Sequence, residues 1–433
     1  MARFASDERS PVVVAGYRTP FLRSGTEYRD LTIYDLARMA LKGLLDRADI
    51  PYEEIQHVIF GCVLTQPKTT NVAREAVIGA GMPHDVPAHT VTMACISGNQ
   101  AITEGAELIA GGRADVVIAG GTECLSDIPI LLKHTLRQKL TTFKKLKSPY
   151  DYLRWLRGLR PTHFLPEVPR IAEFSTGLSM GESADRLAAR WGVGREEQDR
   201  YALRSHQMAA RAAEQELFAD EIIPALVPPE FQIIERDNGV RADTSLEKLR
   251  RLPPAFYPQY GTVTAGNSSF LSDGAAAVLL MSRSRAADLG YAPLARLVSY
   301  AYVGCDPLEE LLLGPAYAVP KVLADVNLQL REMDVYEFHE AFAGQILANL
   351  KALDSDAFGR ERLGRSSRVG EVPMDRFNTL GGSLSLGHPF GATGIRLLVT
   401  CCHRLKREDR HWGLIASCAA GGLGNAMVVE RLT

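Results

Sequence analysis

Short β-branched runs alternate along the chain with segments whose apolar residues recur three and four positions apart. Val12 to Gly16, Val58 to Val63, Thr90 to Met93 and Val116 to Gly120 predict buried strands, and Asp35 to Ala48 and Gln100 to Ala110 predict the helices between them. Strand and helix alternating in this way predict an α/β unit with right-handed crossovers. The same alternation resumes late in the chain. Ala275 to Met281, Ala295 to Val303, Val335 to Phe338, Gly413 to Ser417 and Ala426 to Glu430 read as strands, and Ala392 to Leu405 as a helix.

Between the two the pattern breaks. From Leu131 to Arg160 nine Lys or Arg face one acid, Asp151, with apolar residues at helical spacing on both sides of Ser148-Pro149. Ser as N-cap and Pro at the first helical position suit a second helix, so a basic amphipathic helical hairpin is predicted. Further helices are predicted over Glu182 to Trp191 and Glu196 to Leu217, and an irregular stretch over Pro224 to Tyr260. The segment reads as an insertion, which divides the chain into residues 1–125 with 252–290, an inserted 126–251, and 291–433.

Two stretches share a layout. Cys95-Ile96-Ser97-Gly98 precedes a helix, a loop and a strand that ends at Gly120-Gly121. His388-Pro389-Phe390-Gly391 precedes a helix, a loop and a strand that ends in small residues before Gly422. A duplicated unit would bring the two helix N-termini face to face.

Composition narrows the function. The chain has 433 residues, 46% of them apolar, and a formal net charge of −2, so nothing global points to nucleic acid. No apolar run is long enough to span a membrane, and Met1 to Ser10 lacks the apolar core of a signal peptide. Seven cysteines, an odd number with no CxxC pair, suit a reducing, cytoplasmic setting. Cys62, Cys124, Cys305, Cys401 and Cys402 read as small buried hydrophobes. HExxH and GxxxxGK[ST] are both missing, so no metal site is expected.

Four places in the chain remain as candidate chemistry. Cys95 lies between a strand end and a helix start, where unpaired N–H groups favour thiolate. His388, between Gly387 and Pro389 on a glycine-rich turn, is poorly suited to core filling and well suited to general base work near its ordinary pKa. Cys418 ends a strand that runs into Ala419-Ala420-Gly421-Gly422, whose N–H groups can hold an oxyanion. His339 and Glu340 follow a strand at its C-terminal edge. Each has a plainer alternative: a buried thiol, a turn histidine bonded to backbone, a strand-end cysteine, a helix cap.

In order, Cys95 among small residues, His339-Glu340-Ala341-Phe342, Gly387-His388-Pro389-x-Gly-Ala-x-Gly and Cys418-x-x-Gly421-Gly422 resemble the thiolase family. Ala94-Cys95-Ile96-Ser97, Glu337 to Phe342, Gly381 to Gly394 and the basic insertion are closest to its trifunctional β-subunit branch. The resemblance implies two similar βαβαβαββ halves in a layered αβαβα arrangement with an inserted helical loop domain. It implies cleavage of 3-oxoacyl-CoA by CoA, or the reverse condensation, with coenzyme A as substrate and no cofactor. It implies Cys95 as acylated nucleophile, His388 as its base and Cys418 as acid and base at the carbon beside the thioester. It also implies Cys95 and Ala420 N–H groups around one oxyanion, and His388 and His339 around a second. Ser269 aligns with a pantetheine contact, Met180 with an acyl-pocket residue and Ser179 with a CoA contact. A homodimer or higher oligomer, a hydratase/dehydrogenase α-subunit and peripheral membrane contact through 131–160 are the implied partners.

Three rivals stand beside this reading. Cys95, His339 and His388 also make the set of a decarboxylating ketosynthase. Gly177-Leu178-Ser179-Met180-Gly181 fits a GxSxG hydrolase elbow, although Ile171 to Thr176 makes a poor preceding strand. A non-catalytic acyl-CoA or lipid carrier is the third.

Overall fold

The computed structural model describes residues 2–167 and 172–432; Ile171, at the head of the stretch before Gly177, lies outside them. Each predicted strand and helix of the α/β framework is present, mostly a few residues longer than its apolar pattern. The helix Ile33–Ala48 starts two residues early because Thr32 caps it and Asp35 closes a capping box. The hairpin forms as helices His134–Phe143 and Pro149–Leu156, the second capped by Ser148. The stretch from Pro224 to Tyr260 is more regular than predicted. Ala225–Val227 pairs with Gln232–Ile234, and Leu246–Arg250 is a helix, both too short for a periodic signal.

Among the described residues the nine framework strands form one eleven-stranded sheet with two short strands, Ala2–Arg3 and Leu22–Arg23. In the first half the order is Pro11–Arg18, Ser272–Ser282, Val116–Glu123, His57–Gly61, Ala88–Val91; in the second it is Ala295–Gly304, Leu423–Glu430, Trp412–Ala419, Val335–Phe338. Antiparallel and parallel pairings fall in the same sequence in both. A fifth position of the second half survives as one parallel bridge, Tyr336 to Phe377, because Asn378 (φ 43) turns the chain away at once. The two halves of the sheet join edge to edge through the pairs Ala295–Val13 and Arg296–Val12.

Strand side chains alternate between separate cores. Val12, Val14, Val58 and Phe60 pack under the outer helices Ile33–Ala48 and Val72–Gly79, whereas Val13 and Ile59 face the helices Ser97–Ala110 and Phe390–Arg407. In the second half Tyr336 and Phe338 face outward to Gly314–Val326 and Ala343–Leu353, and Val335 faces the same central pair. Both faces of each sheet are therefore covered, which is why the strands read as unbroken apolar runs. The central helices meet at their N-termini, as the duplicated layout suggested. A Cβ on Gly98 would lie 2.6 Å from the carbonyl oxygen of Gly391, and one on Gly394 would lie 2.6 Å from the amide of Asn99.

Candidate active site

The close approach of those two helix starts places Cys95 beside His388. Ala94 takes the left-handed conformation (φ 48), sparsely populated for a residue with a Cβ. The turn is locked by Ser97, whose Oγ accepts from the Met93 amide at 2.8 Å and donates to the Ala94 carbonyl at 2.7 Å. His388 is held by its amide, which donates to Ser272 Oγ at 2.9 Å, and by Gly387 (φ 108), where a Cβ would sit 2.5 Å from that same oxygen. His339 leaves its strand with its amide on the Ala416 carbonyl at 2.8 Å, so it stands next to the strand that carries Cys418.

The Cys95 sulfur and one ring nitrogen from each of His339 and His388 lie within 4.8 Å of one another. The two imidazole centroids are 4.0 Å apart. Both histidines are buried, and in each Nδ1 is bonded while Nε2 has no partner. The hydrogen-bond network assigns their tautomers. Thr393 Oγ1 donates its single proton to the Pro389 carbonyl (2.9 Å), so at its 2.6 Å contact with His388 it accepts. His388 therefore carries its proton on Nδ1 and a free lone pair on Nε2. Ser383 Oγ accepts from Arg396 Nη2 (3.2 Å), and its own proton has His339 Nδ1, at 2.8 Å, to go to. His339 therefore carries N–H on Nε2. One ring accepts a proton, and the other donates a hydrogen bond.

Electrostatics differ from what position along the chain suggested. Burial pushes the Cys95 thiol up to about 12; the backbone N–H groups of Ala420 and Cys95 pull the other way without prevailing. Desolvation outweighs the partial charge of a nearby helix end, so Cys95 rests as a thiol, not a thiolate. His388 is not poised near its ordinary value either. Burial, with the Arg396 guanidinium behind it, lowers it to about 3. His339 falls well below its ordinary range for the same reason, with His388 adding to it. Cys418, 1% exposed and next to Cys95, is pushed up by burial. Both imidazoles are neutral, and a neutral imidazole with an open lone pair is what a thiol needs in order to lose its proton.

Ala420, whose N–H points at the Cys95 sulfur, needs no left-handed backbone, whereas Gly421 (φ 82) and Gly422 (φ 68) after it do. Alanine is thus tolerated at that position. Ser269 is half-buried, its amide on the Ala341 carbonyl at 2.9 Å, two residues from His339. Met180 opens the helix Met180–Arg190 and packs against the second-half core. Ser179 caps that helix: its Oγ donates to Glu182 Oε2 at 2.7 Å and accepts from the Glu182 amide. A serine so engaged at a helix cap, with no histidine bonded to it, is not a hydrolase nucleophile. Cys62, Cys124, Cys401 and Cys402 are buried as read; Cys305 is only half-buried.

Several supporting residues escaped the sequence reading. Ser383, Thr393 and Arg396 set the histidines, as above. Glu340 accepts from Tyr201 Oη, Ser205 Oγ and Asn378 Nδ2 and so ties the His339 loop to the insertion. Glu123, buried and pushed up to about 7, accepts from the Leu64, Val63 and Gly391 amides, which pins the first-half strand ends to the start of the His388 helix. Ser383 and Thr393 lie inside the glycine-rich run around His388, and that proximity was the available signal. Glu123 and Arg396 gave none.

Comparison with known proteins agrees with this arrangement. Residues 11–284 match the thiolase N-terminal domain and residues 291–431 the thiolase C-terminal domain. The mitochondrial trifunctional enzyme subunit beta of Macaca fascicularis is 53% identical over 98% of this chain and 88% of its own. The 3-ketoacyl-CoA thiolase of Klebsiella pneumoniae is 44% identical over 96% of each chain. The crystal structure of human mitochondrial 3-ketoacyl-CoA thiolase in complex with CoA superposes with a TM-score of 0.84 at 31% identity, over 98% of this chain and 99% of that one. With both domains matched and the sheet order, central helices and two facing cysteines in place, the chain belongs to the thiolase family.

Proposed function

We propose that the protein is a 3-ketoacyl-CoA thiolase of fatty-acid β-oxidation, working through an acyl-Cys95 intermediate. The carrying observation is the convergence on one thiol of two neutral histidines of opposite tautomer, with a second thiol beside them. His388 Nε2 takes the Cys95 proton as the sulfur adds to the 3-oxo carbon. The Cys95 and Ala420 N–H groups hold the oxyanion. As the C2–C3 bond breaks, His339 Nε2–H and the now protonated His388 stabilise the departing thioester enolate, and Cys418 protonates its C2 to release acetyl-CoA. His388 passes the proton it took from Cys95 to the Cys418 thiolate and, neutral again, takes the proton of the CoA thiol as that sulfur attacks the acyl-Cys95 carbonyl, then returns it to the departing Cys95 sulfur. A second buried thiol is what separates this reading from a decarboxylating ketosynthase, which makes its carbanion without a base.

Ser269 is assigned to the pantetheine arm and Met180 to the acyl pocket, with Ser179 acting through the helix it caps. The relatives named as a β subunit support pairing with a hydratase/dehydrogenase subunit, alongside self-association. The hairpin supports a surface-seeking role. Trp155 and Phe143 pack inside it, with ring centroids 5.2 Å apart, while Leu153 is 69% exposed and Leu156 53% among the lysines and arginines. No helix of the described residues is long and apolar enough to cross a membrane. All seven cysteines are free, which supports a reducing compartment such as the cytoplasm.

Incubation with acetyl-CoA and peptide mass mapping tests the assignment. Acetyl is expected on Cys95, and Cys418→Ser is expected to keep that label while losing about 10²-fold or more in 3-oxoacyl-CoA cleavage. Label on Ser179 or Cys418 overturns the reading. His339→Ala is expected to lower turnover about 10²- to 10³-fold; unchanged turnover excludes its role.

A further inference from the structure

Besides acyl chemistry, the cluster has the composition of a metal-binding site. We infer that Cys95 Sγ and a ring nitrogen of each of His339 and His388 bind a thiophilic divalent cation, Zn²⁺ first among them, and that its occupancy blocks the enzyme.

Three observations carry this. The ligand atoms lie within 4.8 Å of one another. A tetrahedral zinc site, with Zn–S near 2.3 Å and Zn–N near 2.0–2.1 Å, places its ligands roughly 3.3–3.6 Å apart. Small side-chain rotations therefore close the gap. Next, both Nε2 atoms are buried and without a partner, so each is free to serve as the ring nitrogen its histidine offers. Finally, the outer contacts are those a metal site uses. The Nδ1–H of His388 donates to Thr393 Oγ1, which leaves Nε2 free to coordinate and its ring direction fixed. His339 joins once its proton moves from Nε2 to Nδ1, where Ser383 Oγ turns to accept it. The Cys95 proton goes to solvent. The fourth position is left to water or to the neighbouring Cys418 thiol. Arg396 behind the histidines opposes the added positive charge, and Glu337 (3.6 Å from its guanidinium) and Glu123 offset it, so reversible binding is expected.

Only the inhibitory half rests on the thiolase reading; binding does not. The full chain, freed of metal by chelator dialysis, is titrated with Co²⁺ and followed by absorption. One Co²⁺ per chain with a thiolate-to-cobalt charge-transfer band, displaced by Zn²⁺, is expected. The band is expected to vanish in Cys95→Ser, a near-isosteric change, and affinity to fall at least about tenfold in His388→Ala. His89→Ala, in the separate His57–His89–Glu104 cluster (3.0 and 2.8 Å), is expected to leave it unchanged. On the unaltered protein, Zn²⁺ is expected to shield Cys95 from iodoacetamide and to stop turnover, both reversed by chelator. No band, a band that persists in Cys95→Ser, or a loss in His89→Ala equal to that in His388→Ala overturns the proposal. Inhibition without the band places the metal elsewhere and overturns it too. A band without inhibition upholds the site, overturns the inhibitory half and counts against Cys95 and His388 as catalytic.

Discussion

Thr393→Val removes one hydroxyl and keeps the shape of the side chain. Thr393 is fully buried, and its Oγ1 is the acceptor for His388 Nδ1–H at 2.6 Å. The other contact it loses is not critical, because the Pro389 carbonyl also accepts from the Ala392 and Thr393 amides at 3.0 Å each. The damage therefore concentrates on the histidine. A buried N–H left without a partner costs about 1–3 kcal/mol. The ring lowers that cost by moving its proton to Nε2 and turning it toward the Cys95 sulfur of the same cluster, within 4.8 Å; Nε2 is the position that must be empty to receive the proton of Cys95. The competent tautomer then falls by a factor exp(ΔG/RT), roughly 5- to 150-fold at 25 °C. The rate of Cys95 acylation by acetyl-CoA, measured as a single turnover, should fall by that factor, and Thr393→Ser, which restores the acceptor, should recover it. Urea denaturation serves as the check that the fold is intact. An acylation rate within about twofold of the parent in a folded Thr393→Val protein would refute the tautomer argument.

Three further outcomes follow from the same geometry. Gly391→Ala places a Cβ against the Gly61 carbonyl and 2.6 Å from that of Thr122, both backbone atoms that cannot turn aside; a loss of at least about 2 kcal/mol, or of soluble protein, is expected by thermal denaturation. Stability should decline on acidification. His388 (about 3), His206 (about 4) and His339 bind fewer protons folded than unfolded, so stability present above pH 6.5 is lost as pH falls towards the folded values. Glu123, raised to about 7, acts in the opposite sense between its unfolded value of 4.5 and 7. His206→Gln should make the acid limb of the urea-midpoint profile shallower, by up to ~1.4 kcal/mol per pH unit, and an unchanged slope would contradict the assignment. Replacing Leu153 and Leu156 by Ser should lower co-sedimentation with anionic liposomes at least about tenfold without changing turnover; equal sedimentation counts against membrane contact through the hairpin.

The framework was legible because most of its strands are buried on two faces and its outer helices on one, so burial imprints itself on the sequence as unbroken apolar runs and as a period of 3.6. Val12, Val13 and Val14 already announce a strand between two layers. The repeated layout around Cys95 and His388 likewise announced two helix starts that could meet, since small residues at Gly98, Gly391 and Gly394 serve little purpose unless backbones approach. What the sequence could not contain was the balance of forces at the meeting point. Position beside a helix end suggested a thiolate at Cys95 and a poised histidine at 388. Tertiary burial reversed both, since desolvation depends on neighbours drawn from all along the chain. The opposite tautomers of His388 and His339 depend on Thr393, Pro389, Ser383 and Arg396 lying within hydrogen-bond reach. The fifth strand of the second half, reduced to one bridge at Phe377, was decided by the turn at Asn378. Patterning along the chain reports how much of each residue is covered. Which groups share a cavity, and which of them holds the proton, are properties of distance and appear only when the chain has folded.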